Sequence, residues 1–584
     1  MTKDEIAEIL ESIALLLDLK GENPFKIRAY TNAARAIETY AGDFLQMARD
    51  GKLQEISGIG EKIAEKISEL VRTGELPFYT KLKAEFPPGL FDLFDLQGIG
   101  AKKIKVLYDK LGVTSLETLE KACQDGRVAA LPGFGEKTAA NILKSMEQRA
   151  KHAGSFRLGD VAQDAEEIYG DLREHPDVIQ VAVAGSYRRR KEVVHDLDFI
   201  VATKSPEEVS GYFVTHPLVE SIEAQGPTKS SVRLKSGVQA DLRVVSNEEY
   251  PYALVYFTGS KEHNIVLRSR ALQRGWTLNE YRIGPAETKG KAPKSALADL
   301  PKVHDEAGIY AALGLDFVPP ELREDKGEIQ AAETHALPKL VEMENLRGTF
   351  HNHTTASDGR STLEEMAGAA QELGLQYLGI ADHSKSSYQA HGLSAEQLEA
   401  QIKAIKKLNK SFDGFKIFSG VECDILKDGS LDYPDEVLAQ LDYVVTSVHS
   451  VFNLSEAEMT KRIIRAISNP HVTFLGHLTG RLLLYREAYQ VNIPAILDAA
   501  AETGTIIELN ANPNRLDMDW RWWPLAKEKG VKCVINPDAH HTSGLQHLWF
   551  GVAAARKGWL TRNDVVNCMP LGKIEAVLDA KRKR

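Results

Sequence analysis

The sequence predicts a multidomain α/β protein: a helical amino-terminal region, a mixed α/β middle and a carboxyl-terminal parallel barrel of βα units. Three observations predict it. A Gly-apolar-Gly turn leading into a helix-like stretch recurs three times before Leu143. Two apolar strand-like runs flank a Gly-Ser turn near Gly185, and the second run carries aspartates two residues apart. From Arg347 onward, seven strand-like apolar runs alternate with polar helix-like segments, the alternation that builds parallel sheets.

A chain of 584 residues is too long for a single core, and a 43% hydrophobic content is that of a globular protein. The start MTKDEIAEIL lacks a basic flank followed by a long apolar stretch, so no signal peptide is expected, and ALLLDL is too short to span a membrane. The four cysteines, Cys123, Cys423, Cys533 and Cys568, show no CxxC spacing. A reducing, cytoplasmic location without zinc knuckles is therefore expected. The net charge of −10 argues against a generally basic nucleic-acid coat but permits local basic patches.

In the helical region the recurring unit reads EISGIGEKIAEKI, DLQGIGAKKIKVL and ALPGFGEKTAANIL. The turns are Gly58–Gly60, Gly98–Gly100 and Gly133–Gly135, with Lys62, Lys102 and Lys137 each two residues beyond the second glycine. Glycine allows close approach, a helix start offers free N–H groups, and the lysine adds charge. One such turn is a packing device; three with the lysine kept predict sequence-independent contact with a DNA backbone.

The middle reads VIQVAVAGSYRRRKEVVHDLDFIVA. VAVAG is expected as a buried strand, GS as its exit turn and DLDFIVA as a second strand. Residues i and i+2 of a strand face the same way, so Asp196 and Asp198 share a face, and Asp241 in SGVQADLRVV supplies a third carboxylate. Clustered carboxylates need cations, hard oxygen ligands suit magnesium, and two ions suit in-line phosphoryl transfer. Gly185 and Ser186 would bring donors to a triphosphate, with Arg189 as a charged clamp.

The carboxyl-terminal runs are RGTFHNH, YLGIADH, KIFSGVECD, YVVTSVHS, TFLGHL, IIELNA and CVINPDAH, separated by helix-like segments such as 361–373, 394–410 and 455–468. Six of the seven end in a potential metal ligand; IIELNA stops on neutral Asn510. Functional groups of such barrels lie at the carboxyl ends of the strands. His351, His353, Asp358, His383, Glu422, His449, His477, Asp538 and His540 are therefore expected at one mouth. Nitrogen and carboxylate ligands without cysteine favour zinc, manganese or iron, and predict a multi-metal hydrolase. Arg481 and Lys385 are candidates to hold a substrate phosphate, although surface charge is the more ordinary role for each.

The spaced set GS…DxD…D resembles the nucleotidyltransferase superfamily, and specifically family X DNA polymerases. The likeness continues through YFTGSKEHNIVLRSRALQRGWTLNEY, which is similar to that family's thumb. It implies nucleotide contacts at Tyr256, Phe257, Gly259, Ser260, Asn264 and Arg268, beside Gly185, Ser186 and Arg189. The three glycine turns resemble helix-hairpin-helix elements. NPFKIRAY and the helix after Gly60 resemble a domain that binds a 5′-phosphate through Lys26, Tyr30, Lys62 and Lys66, with Lys66 at the Schiff-base position of lyase-active members. Lys66 also fits the solvated face of a lysine-rich amphipathic helix. Two departures stand out: Lys261 where polymerase beta has an acidic residue, and Gln239 where it has an arginine.

HNHTTASDG, ADHS, GVECDI, SVHS, GHLTGR and PDAH resemble the polymerase and histidinol phosphatase (PHP) domain, a distorted (β/α)7 barrel in which the nine mouth residues bind two to three ions. Together the resemblances imply residues 1–85 as an 8-kDa-like helix-hairpin-helix domain, 86–152 as fingers, 153–248 as a nucleotidyltransferase palm, 249–322 as thumb, 323–345 as linker and 346–584 as the PHP domain. They imply a polymerase with two Mg2+ or Mn2+ ions that fills short gaps during DNA repair. A Zn2+, Mn2+ or iron-dependent 3′–5′ exonuclease would accompany it, with AP-endonuclease activity as a further option. Gapped or primer–template DNA and dNTPs would be the partners of a monomer. Two alternatives stay open: a PHP domain that is only a metal-stabilised scaffold, or one that hydrolyses small phosphomonoesters.

Overall fold

The computed structural model describes residues 3–40, 44–96, 99–286 and 300–582, so the predicted contact at Gly98 lies outside the described residues. The chain divides into two compact units, 1–153 and 154–584. Among the described residues no helix is long and apolar enough to cross a membrane.

The first unit is helical around one core that includes Leu10, Leu17, Ile37, Ile67 and Leu107. Each glycine turn seats its middle residue in that core: Ile59 is 5% exposed, Ile99 4% and Phe134 7%. Burying a side chain of that size stabilises by about 1.5–3 kcal/mol, enough to hold a turn against fraying. Gly58 has φ +97, and a Cβ there would lie 3.2 Å from Ala36 Cβ, so the turn needs glycine on both counts. Gly60 and Gly100 cap the helices Glu61–Thr73 and Ala101–Leu111, whereas the third helix, Gly135–Lys151, begins on the second glycine itself.

The second unit opens with a five-stranded sheet in the order Val178–Val183, Asp196–Thr203, Gln239–Val245, Lys229–Leu234, Val219–Ala224. The first pairing is antiparallel and the second parallel. The strand before the Gly-Ser turn is not buried as expected: it is the sheet edge, and Val181, Ala182 and Val183 are only half-buried. The buried strand is Asp196–Thr203, which has a neighbour on both sides and Phe199, Ile200 and Val201 fully covered. Hydrophobicity alone does not distinguish an edge from a centre.

The segment 323–345, expected as a linker, is packed into the preceding helices. Ile329 and Ala332 join Ile309, Tyr310 and Leu313 in one cluster. Fully buried Arg323 pairs with Glu306 at 2.8 Å, and fully buried Glu328 meets His263 at 2.7 Å. The polar look of the segment comes from charges whose partners lie elsewhere in the chain.

All seven carboxyl-terminal runs form parallel pairs with their neighbours in chain order. The third is broken at Gly420–Val421 into Lys416–Ser419 and Glu422–Asp424, which leaves a three-stranded and a five-stranded sheet. A bridge between Asn352 and Ala539 joins the last run to the first, and one between His383 and Glu422 spans the break. Phe350, Tyr377, Phe418, Tyr443 and Phe474 fill the interior. The Tyr443 hydroxyl lies 2.5 Å from the Phe350 carbonyl oxygen and 2.8 Å from that of Ile380. A Cβ on Gly420 would come 2.3 Å from the Tyr443 ring, which is why the break carries glycine. The expected helices form as Leu363–Glu372, Ala395–Leu408 and Glu456–Ile467, each started by a capping box on Thr362, Ser394 or Ser455.

The barrel docks on the loop that follows the Gly-Ser turn. Arg190 stacks on Trp549 at 4.3 Å, and Lys557 donates to the Arg189 carbonyl at 3.0 Å and to Glu324 at 2.6 Å. Glu192, 9% exposed, accepts from Trp520 Nε1 at 3.1 Å and from Arg521 at 2.8 Å. Burial opposes the charge on Glu192, but Arg521 and Arg481 outweigh it and hold the carboxyl down at about 2.

A folded-state value depressed from 4.5 contributes stability above 4.5 that is lost as pH falls through about 2. The substitution Glu192→Gln should therefore destabilise the chain by on the order of 3 kcal/mol at neutral pH. Urea unfolding of both proteins checks this: the gap should hold between neutral pH and the ordinary carboxylate range, then shrink steadily in acid. A gap independent of pH would contradict the assignment.

Candidate functional sites

Sheet register assembles the first site. Asp198 lies directly opposite Asp241, and Asp196 opposite Gln239, on adjacent parallel strands. The three predicted carboxylates therefore line one face. Burial, then Asp196 and Asp241, push Asp198 up to about 7. Asp241 moves the other way: burial is outweighed by Lys229 at 2.8 Å and by Gln239, whose Nε2 donates at 3.0 Å. Lys229 was not singled out from the sequence; it lies on the neighbouring antiparallel strand, a relation only the sheet order reveals. Gly185 has φ +61, and a Cβ there would come 2.2 Å from Asp198 Oδ2, so the glycine is required by the carboxylate beside it. Ser186 follows in the short helix Gly185–Arg188, half-buried.

Arg189 does not point freely at this face. It pairs with Glu324 at 3.1 Å and donates to the Thr258 carbonyl, beside Gly259, where a Cβ would come 3.1 Å from its Nη1. Ser260 caps the helix Lys261–Gln273 through the His263 N–H. Asn264 donates to the Tyr256 carbonyl at 2.7 Å, locking the corner between the helices Tyr250–Thr258 and Lys261–Gln273. Phe257 is covered by Arg243 at 4.9 Å. Arg268 and Lys261 are exposed. In the first unit, Lys66 lies 4.5 Å over the Phe78 ring on which buried Tyr30 also stacks, so these two predicted residues share one aromatic neighbour. Lys26 pairs with Glu22 at 3.2 Å, and Lys62, Lys102 and Lys137 are exposed.

The barrel mouth gathers all nine predicted ligands. Three sets could each hold an ion: His353, Asp358, His383 and His540; His351, His353 and Asp538; His383, Glu422 and His449. His477 joins through Nε2, which lies 2.9 Å from Glu422 Oε1. Glu422 is 1% exposed, yet its carboxyl is held well below the usual range, because His449, His351 and His383 outweigh burial. Burial of Asp358 is likewise outweighed by His540, His353 and His383, leaving it at about 2. His353 Nδ1 and His477 Nδ1 are buried without hydrogen-bond partners, and His351 Nε2 lies 3.3 Å from Glu422 Oε1. Orphaned imidazole nitrogens beside ionised carboxylates fit divalent cations.

Two orienting carboxylates were missed. Glu508 accepts from His351 Nδ1 at 2.7 Å, and Asp424 accepts from His449 Nδ1. Each bond fixes which ring nitrogen faces the mouth. Their signal was present: Glu508 is a lone charge inside the fully buried strand Ile506–Asn510, and Asp424 ends the run after Glu422. Arg481 does not reach the mouth; it pairs with Asp519 at 2.5 Å and donates to the Arg515 and Leu516 carbonyls. Lys385 sits 5.7 Å over Tyr433.

Asp198 at about 7 is protonated in slightly acid solution; its raised value supplies stability below 3.8 that is lost as pH rises through about 7. Binding of Mg2+ should release protons at about one pH unit below that value and none well above it. Calorimetry in buffers of different ionisation heat reads this directly, and no release in the acid buffer would refute the assignment. Glu508→Gln should weaken Mn2+ binding at the barrel by about tenfold to a hundredfold, as measured by metal titration. Unchanged affinity would mean that the carboxylate does not orient His351.

Comparison with known proteins agrees with this layout. Residues 1–76 match the helix-hairpin-helix domain and 91–147 the SAM-like helix-hairpin-helix tandem. Residues 253–324 match the DNA polymerase beta thumb and 349–512 the PHP domain. Over 245 residues, 40% of this chain, it is 31% identical to a probable phosphatase of Thermoanaerobacter sp. (strain X514), covering 95% of that protein. It is 24% identical to DNA polymerase lambda of Rattus norvegicus over 346 residues, 55% of this chain and 56% of that one. With DNA polymerase/3′-5′ exonuclease PolX of Bacillus subtilis (strain 168), identity is 40% over 580 residues, 99% of both chains. Likeness sustained through helix-hairpin-helix region, polymerase beta-like core and barrel alike means that the chain belongs to the PolX family, the family X DNA polymerases with a carboxyl-terminal PHP domain.

Proposed function

We propose that this chain fills short gaps in DNA at the central sheet and processes 3′ ends at the barrel. The observation that carries it is the register of Asp196, Asp198 and Asp241 beside Gly185, in a chain similar from end to end to a protein named DNA polymerase/3′-5′ exonuclease. Two Mg2+ or Mn2+ ions held by these aspartates would supply charge to the primer 3′-hydroxyl and to the leaving phosphates of a dNTP. The chain itself does the positioning. Gly185 lets the backbone pass beside Asp198, and Tyr256 and Phe257 form the wall next to the sugar. Arg189 would exchange its Glu324 partner for a triphosphate oxygen. Lys62, Lys102 and Lys137 would meet DNA phosphates, with Tyr30 and Lys66 as the 5′-phosphate and lyase candidates and Lys26 beside them.

Zn2+, Mn2+ or iron in the barrel would supply Lewis-acid charge for hydrolysis of a phosphate ester. The nine ligands are all present and convergent, which favours a working hydrolase over a dormant scaffold. The likeness to a probable phosphatase leaves a small phosphomonoester as the competing substrate. We place the protein in the cytoplasm, acting as a monomer.

The two activities should separate. On a gapped duplex with a labelled primer, Asp198→Ala should abolish extension and spare 3′ degradation, while His353→Ala should do the reverse. Loss of both activities in either variant would contradict independent sites. Faster turnover of sugar phosphates or free nucleotides than of the duplex would shift the barrel to the phosphatase reading.

A further inference from the structure

Arg515 has no role in the chemistry described so far, yet it is placed at the barrel mouth with more structure around it than a surface arginine needs. It lies in the loop after Ile506–Asn510, which folds back so that Asn510 and Asp517 form a bridge. Arg481 holds that loop, donating from Nε to the Arg515 carbonyl at 2.9 Å and from Nη2 to the Leu516 carbonyl at 2.5 Å. Leu516 sits at φ +42, a conformation that side-chain-bearing residues rarely adopt. Two bonds from Arg481 thus secure an unfavourable backbone, and the result is that Arg515 faces inward.

The guanidinium stops short of satisfaction. Its Nε is 3.6 Å from Asp538 Oδ2, beyond a hydrogen bond, and its Nη1 is buried with no partner. Among the described residues of the barrel it is the arginine with a buried, unpartnered nitrogen. Neighbouring arginines are engaged: Arg486 donates to the Gly480 carbonyl, Arg481 to the carbonyls above, and Arg521 to Asp519 and Glu192. A buried N–H without an acceptor calls for a physical reason, and a ligand that completes it is one such reason. With divalent ions on Asp538 and its neighbours, a guanidinium so close would be repelled unless an anion were shared between them. A tetrahedral phosphate offers that anion and matches the planar fork of arginine.

We propose that Arg515 binds the phosphate that is cleaved at the barrel site, and that Arg481 is the positioning residue that aims it. The proposal rests on the reading of the barrel as a phosphoesterase. It assigns to Arg515 the phosphate-holding role that the sequence suggested for Arg481.

The test uses the full chain loaded with Mn2+, in an Asp198→Ala background that silences the central site. Arg515→Ala should lower kcat/KM for degradation of a labelled single strand by about a hundredfold, mostly through KM, with Arg515→Lys intermediate. Added guanidinium ion should restore part of the alanine variant's loss. Calorimetric titration with dTMP should show binding weakened by about tenfold or more. Mn2+ content and melting temperature should match the unsubstituted chain. Wild-type dTMP affinity in Arg515→Ala would overturn the proposal. So would loss of Mn2+ together with activity, because that marks a structural partner of Asp538. If no strand is degraded but dTMP binding still depends on Arg515, the hydrolase reading fails and the phosphate contact stands.

Discussion

Glu422 is almost fully enclosed, and His351, His383, His449 and His477 approach its two oxygens within 3.3 Å. A carboxylate in such a place cannot stay ionised alone, and the imidazoles around it cannot all be neutral and satisfied. Divalent cations held by the groups at the mouth would resolve this tension. Aromatic side chains fill its interior and lift the polar groups to the mouth, while Glu508 and Asp424 turn individual rings. The same constraint operates at the central sheet on a smaller scale. Parallel register forces Asp198 against Asp241, and Lys229 partly neutralises the pair. Both proposed sites thus gather carboxylates by backbone geometry, and such clustered charge suits a divalent cation.

The joint between barrel and central sheet uses the opposite arrangement, charges brought together in complementary pairs. Lys557 reaches Glu324 and the Arg189 carbonyl, Arg521 and Trp520 meet Glu192, and Arg157 meets Asn514 one residue from Arg515. The polymerase-side loop 189–192 and the barrel loop 512–521 therefore hold each other. Each carries a residue of one proposed site: Arg189 near the nucleotide, Arg515 near the cleaved phosphate. Removing either partner of such buried pairs leaves an uncompensated charge, so the pairing fixes geometry more surely than it adds stability.

Much of both sites was legible because the informative residues stand at boundaries. His353, His383, His449, His477 and His540 each sit where an apolar run gives way to polar residues, and a parallel barrel sends every such boundary to one end. Asp196 and Asp198 were legible through the two-residue period of a strand. Glu508 was not, because it lies inside a run and its meaning comes from His351, 157 residues away. Arg323 and Glu328 made a packed segment look like a linker, since their partners Glu306 and His263 are invisible to any local pattern. The strand Val178–Val183 read as buried because its composition resembles that of its neighbour, and only strand order shows that it is the edge.

By itself, the sequence determined the alternation of elements, the glycine turns and the ligands that cap the strands, because these depend on periodicity and on residues close together in the chain. The tertiary structure alone decided which arginine faces the barrel mouth, which carboxylates orient the histidines, and that barrel and central sheet form one compact unit. The physical reason is the same in each case. A buried charge is tolerable only where an opposite charge or hydrogen-bond partner arrives from elsewhere, and the fold rather than the local pattern specifies that arrival.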